Sequence, residues 1–186
     1  MESELQSPPH SLIVAEREGS LMLKELTLDD AQVYFDTVDA SREHLDKPYS
    51  LISQYLPTIQ SVRNNILHAS LTHYKFGVWE ADKFRGSAEL VTQSNQEAEI
   101  GCWIGADHVG KNFATRSTQL LTHWAFRELD IESVVAKIHK ENVVSKRVIY
   151  KSGFFFARST GEWDVFTRER SMDAALPENV RSPLAS

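Results

Sequence analysis

The sequence predicts a mixed α/β (α+β) domain, and three observations point to it. Short runs of alternating apolar residues recur in pairs separated by turn residues, the pattern of a strand meander. Near the middle of the chain the period changes: Leu120, Leu121, Trp124, Ala125 and Leu129 make the stripe of a core-facing helix. A β-branched run, Val134, Val135, Ala136 and Ile138, follows that helix directly, so the centre reads strand, glycine loop, helix, strand. With 186 residues, 41% of them hydrophobic and 10% aromatic, the chain fits one domain with a full core.

The elements follow in order. Residues 12–16 and 21–26 read as strands around Glu18-Gly19. Thr27 caps a helix, with Asp30 three residues on in a capping-box arrangement. A second helix is expected over residues 61–73. Strands over 75–80, 86–92 and 97–104 are joined by turns at Ala81-Asp82-Lys83 and Ser94-Asn95-Gln96. The striped helix spans residues 115–129 and the strand after it 133–139. A shorter helix over 143–151 stops at Gly153. A last hairpin pairs 154–159 with 163–168 around Thr160-Gly161. Residues 1–10 and 173–186 read as loose tails around a single domain of residues 11–172.

Composition narrows the function classes. No run of 18 apolar residues is present, so no membrane span is expected, and the N-terminus lacks a basic and apolar leader pattern. The formal charge of -6 argues against nucleic acid and favours cationic partners such as amines or basic peptides. One cysteine permits no internal disulfide, which fits a reducing cytoplasm.

The stretch Gly110-Lys111-Asn112-Phe113-Ala114 joins a strand to the N-terminus of a helix. Two readings stand. It is an ordinary turn whose glycine supplies positive φ, or a cradle whose free N–H groups receive an anion such as a pyrophosphate. It is neither a P-loop nor a dinucleotide fingerprint.

A set of pieces in order carries a resemblance. They are Glu99-Ile100-Gly101-Cys102-Trp103-Ile104, the Gly110–Thr115 loop, Ala125-Phe126-Arg127-Glu128-Leu129, Asn142 with Ser145, and Gly153-Phe154. Upstream stand Leu21-Met22-Leu23-Lys24, Leu28-Asp29-Asp30-Ala31 and Ser41-Arg42 with His44-Leu45. Over about residues 12–170 the chain resembles the GNAT-type N-acetyltransferases, most of all the ribosomal-protein N-terminal acetyltransferase subfamily. Val109 and Asn112 stand where that family commonly has Arg or Gln and a second Gly, and the last hairpin is shorter than usual there.

The resemblance implies the GNAT fold: a mixed, mostly antiparallel sheet of about seven strands, flanked by about four helices and splayed at its two central strands. It implies acetyl-CoA as co-substrate in that splay. Pantetheine would pair with backbone at Cys102 and Ile104, the pyrophosphate would sit on the N–H groups of Gly110, Lys111, Asn112, Phe113, Ala114 and Thr115, and Trp103 and Val109 would also contact the cofactor. It further implies direct attack of a primary amine on the thioester, the acceptor being a protein N-terminal α-amine or a small amine. The departures at Val109 and Asn112 keep a non-catalytic CoA-binding sensor in view. A homodimer is compatible with the resemblance; no metal is implied.

Several side chains carry two readings each. Glu99 is a general base or a solvated strand residue. Ser145 assists the leaving thiolate or caps its own helix. Asn142 holds pantetheine, serves as an N-cap, or does both. Arg42 and His44 line the acceptor side or a surface turn. Tyr150 lies one residue from the position of the tyrosine acid found in other GNAT proteins and reads as packing. Cys102 lies mid-strand with nothing to activate it as a nucleophile, and His139 with Glu141 is too few for a metal site.

Overall fold

The computed structural model describes residues 13–15, 21–47 and 50–173. The expected tails at 1–10 and 173–186, except Asp173, which ends a short helix, and both ends of the first expected strand lie outside those residues. The N-terminal half contains β1 (Ile13–Ala15), β2 (Leu21–Glu25), α1 (Ala31–Ala40), α2 (Arg42–Leu45), β3 (Asp46–Lys47), β4 (Ser50–Leu51), α3 (Ile52–Tyr55) and α4 (Ile59–Leu67). The meander is β5 (His73–Glu80), β6 (Lys83–Thr92) and β7 (Glu97–Ile104). Then come α5 (Phe113–Glu128), β8 (Ser133–His139), α6 (Val143–Lys151), β9 (Phe155–Thr160), β10 (Trp163–Glu169) and α7 (Arg170–Asp173).

Eight strands form one sheet in the order β1-β2-β5-β6-β7-β8-β10-β9. Neighbours are antiparallel except β7 and β8, which run parallel. A parallel pair needs a crossover, and α5 supplies it. On one face, Leu121, Trp124, Ala125 and Phe126 of α5 pack against Leu23, Phe76, Leu90 and Val134 of the sheet. Trp124 meets Tyr74 and Phe76 edge-on, with centroids at 5.1 and 5.3 Å. On the other face, Tyr34 and Val38 of α1 and Val62 and Ile66 of α4 cover Phe84, Trp79 and Trp103.

Local chemistry sets the boundaries. The Asp30 carboxylate accepts from the N–H and the hydroxyl of Thr27 at 2.8 and 2.9 Å, the reciprocal half of the expected cap. The helix expected over 61–73 instead spans Ile59–Leu67. Thr58 caps it by exchanging bonds with Ser61, and an isolated bridge between Ser70 and His73 turns the chain into β5. The chain between α1 and α4 folds into α2, the β3–β4 pair and α3, which are too short to leave a periodic signal. Gly153 has φ 86°, its N–H donating to Tyr150 and that of Phe154 to Ile149, a Schellman ending.

Candidate active site

Strands β7 and β8 share three rungs, Glu97–Ser133, Ala98–Val134 and Glu99–Val135. Past Glu99 they part. β6 holds one edge of β7 as far as Ile104, and β10 holds the far edge of β8 as far as His139. The edge of β7 that faces β8 is therefore left without a ladder from Ile100 onward, with backbone groups open to a guest. A cleft of about 740 Å³ occupies the split.

The glycine loop stands at its mouth. Gly110 has φ 78° and Asn112 φ 62°, so both take left-handed backbone. A Cβ placed at Gly110 would meet nothing within 4 Å. The fold thus requires its backbone angle, and the space above it is open. Asn112 is the N-cap of α5 but makes no side-chain cap bond. The first-turn N–H groups of Phe113, Ala114 and Thr115 have no carbonyl one turn back. Phe113 begins α5 two residues before the expected start because its ring, 2% exposed, locks into the core beneath Arg85. Arg85 also contacts His108 at 3.3 Å. Burial, with the charges of Arg85 and Lys111 adding, holds the His108 pKa below its usual value.

Cys102, Trp103, Ile104, Val109 and Ala114 line the cleft, facing Asn142 and Ser145 from the other wall. Gly110, Lys111 and Asn112 of the loop and Phe113 and Thr115 of the first turn of α5 sit beside those walls rather than in them. Asn142 is the N-cap of α6, its Oδ1 accepting from the Ser145 N–H at 3.0 Å. The Ser145 hydroxyl has no partner among the described residues. Burial pushes the Cys102 thiol up to about 12, with Glu89 adding, so it stays a neutral wall.

The cleft also reaches α2, α3 and α4 through His44, Ile52, Tyr55 and Asn65. His44 is on its wall; Arg42 is not, and instead donates to Asp39 at 2.7 Å. Glu99 is also off the wall: Lys137, which is on it, donates to Glu99 Oε2 at 2.5 Å. Tyr150 stacks edge-on against Phe166 at 5.1 Å, away from the cleft. His139 meets Trp163 edge-on and Glu162 at 3.8 Å. Among the described residues no group of three or more His, Cys, Asp or Glu could hold a metal, and no helix is long and apolar enough to cross a membrane.

Sequence reasoning missed a polar cluster on this wall. Glu89 Oε2 contacts His73 Nε2 at 3.0 Å and Lys75 Nζ at 3.4 Å, and Lys75, 5% exposed, also donates to Asn65 at 3.2 Å. The signal lay in strand pairing. Counting back from the Ala81-Asp82 turn sets Glu89 opposite Tyr74. A bulge leaves Arg85 unpaired and shifts the register, so that Glu89 faces Lys75. A bulge of this kind leaves no mark in composition.

The comparisons agree with this geometry. The acetyltransferase (GNAT) domain family matches residues 20–155. The uncharacterized N-acetyltransferase p20 of Bacillus licheniformis is 28% identical over 139 residues, 72% of this chain and 78% of that protein. The ribosomal-protein-serine acetyltransferase of Escherichia coli (strain K12) is 27% identical over 100 residues, 52% of this chain and 56% of that protein. Among solved structures, RimL, a ribosomal alpha-N-protein acetyltransferase in complex with coenzyme A, superposes with a TM-score of 0.74 at 16% identity. It covers 85% of this chain and 98% of its own.

Proposed function

This chain belongs to the acetyltransferase (GNAT) domain family, and on that premise we propose that it transfers acetyl from acetyl-CoA to a primary amine, by direct attack of the amine on the thioester. The observation that carries the reading is the parallel pair that opens after Glu99, with the bare N-terminus of α5 at its mouth. The unladdered edge at Cys102, Trp103 and Ile104 would take the pantetheine amides. The N–H groups from Gly110 to Thr115 would take the pyrophosphate. Val109 and Ala114 would flank the chain of the cofactor, and Asn142 would hold it from α6.

Attack needs the amine neutral. The thiolate that leaves gains a proton, and the Ser145 hydroxyl, on the cleft wall, would donate a hydrogen bond to it. The proton acceptor for the amine is one of two carboxylates on the α1–α4 face, Glu89 or Glu99. An α-amine, with a pKa near 7.8, is roughly 10–15% neutral at pH 7, whereas a lysine-type amine near 10.4 is roughly 0.04% neutral. A protein N-terminus therefore asks less of the base, and the ribosomal-protein relatives support such an acceptor. His44 would stand at the acceptor entrance, with Arg42 behind it.

The test is acetyl-CoA with a panel of N-terminal peptides and small amines, read by mass spectrometry for an acetylated product. CoA binding without any product would leave the sensor reading in place of the enzyme.

A further inference from the structure

Among the described residues, Glu89 is the one acidic side chain on the wall of the cleft. Its position is built rather than incidental. Oε2 is held by His73 and Lys75, at 3.0 and 3.4 Å from the two nitrogens. Oε1 has no hydrogen-bond partner among the described residues. It leans over Gly101, its register partner on β7, where a Cβ would lie 3.2 Å from both Oε1 and Cγ. Gly101 is two residues past the last rung of the split. An absent side chain thus opens a passage from the carboxylate into the gap. Glu99 shares this face, two residues back on β7, but its carboxylate is turned to Lys137.

Resting on the acetyl-transfer reading, we infer that Glu89 Oε1 is the group that meets the acceptor, and that the acceptor arrives as a cation, a primary ammonium. The ammonium gives one proton to Glu89, the nitrogen bonds to the thioester carbon, and the C–S bond breaks. The nitrogen then loses a second proton, the thiolate gains one, and the net release is one proton. Lys75 and His73 from β5, with Asn65 from α4, fix the carboxylate. His44 of α2, Lys47 of β3, Tyr55 of α3, Cys102 of β7 and Lys137 and His139 of β8 are the other charged or titratable groups on the wall, and Glu99 lies off it, paired to Lys137. Each carboxylate is paired with a lysine, but Glu99 lies off the wall behind Lys137 whereas Glu89 is on it with Oε1 unpartnered, so the ammonium meets Glu89.

The experiment uses acetyl-CoA with three acceptors: a peptide with N-terminal Ser, one with N-terminal Ala, and 1,4-diaminobutane. Glu89→Gln raises KM for the acetylated amine by roughly tenfold or more, and more than the paired swap Glu99→Gln with Lys137→Met does. CoA-dependent thermal stabilisation is retained. The deficit narrows as pH passes the pKa of the amine, because a neutral amine needs no counter-charge; a merely structural defect would persist at every pH. Glu89→Gln also strips the buried Lys75 of its charge partner. If that variant does not fold, Gly101→Ala decides, since it crowds the carboxylate without removing it; a loss of about tenfold in kcat/KM supports the inference. An unchanged amine KM in the folded Glu89 variant, or in Gly101→Ala where it decides, overturns it. A parent enzyme that binds CoA and acetylates none of the three overturns the acetyl-transfer reading itself, and this inference with it.

Discussion

Lys137 Nζ donates to Glu99 Oε2 across the split, just beyond the last rung that joins β7 to β8. Lys137 lines the cleft and Glu99 does not, so the cation stands between the carboxylate and any guest. Glu99→Gln leaves that cation uncompensated beside a cationic acceptor. It is expected to raise the amine KM several-fold, and adding Lys137→Met is expected to bring it back toward the parent. Steady-state kinetics on the two singles and the double check this. A double variant as poor as Glu99→Gln alone would mean that Glu99 itself takes the proton. For stability the pair is half-exposed, so either single change should cost no more than about 1 kcal/mol in a melt.

Gly110 sits at φ 78° under open space. Valine there resists both the backbone angle, at about 1–2 kcal/mol, and the close approach of an anion. Gly110→Val is expected to weaken CoA by at least about tenfold in Kd. Lys111→Ala is expected to cost far less, because its charge is screened in salt. Calorimetric titration of CoA into both variants separates them.

Asn142 and Ser145 meet through one hydrogen bond but predict different losses. Asn142→Ala removes the N-cap of α6 and is expected to lower stability by about 1 kcal/mol, together with CoA affinity. Ser145→Ala leaves the cap, because the bond uses its backbone N–H. It is expected to lower kcat while CoA binding and melting temperature hold, since a contact to the departing thiolate grows in the transition state.

The Cys102 thiol, raised to about 12 by burial and by Glu89, is on the wall of the cleft. At pH 8 its thiolate fraction is about a thousandfold below that of a free cysteine, so iodoacetamide is expected to label it that much more slowly. CoA should slow labelling further. The sign for stability follows from the raised pKa: the folded state keeps its proton while the unfolded chain loses one. Stability is therefore expected to fall as pH rises from about 9 toward 12. Urea melts at pH 8 and 10 on the parent and Cys102→Ala isolate that slope.

Much of the scaffold was legible because periodicity and turn chemistry are local. Leu121, Trp124 and Ala125 announce the buried stripe of α5, and Gly153 announces the end of α6. The bounds of β7, β8 and α6 agree with those read from the residues. The loop was legible as a glycine turn at a helix start. Its early start at Phe113 was not, because a single aromatic beside a loop gives no period.

What the sequence by itself determined, then, is the order of elements, the core-facing stripes and the family in which that order recurs, all functions of neighbours a few positions apart. Tertiary structure decided which charges meet. The bulge at Arg85 moves Glu89 from opposite Tyr74 to opposite Lys75. The parting of β7 and β8 after Glu99 puts Lys137 in front of that carboxylate. Gly101 leaves the room into which Glu89 leans. Each depends on strand register between residues 12 to 38 positions apart in the chain. A shift of one residue in a strand turns a side chain to the opposite face of the sheet, so no local pattern could have fixed them.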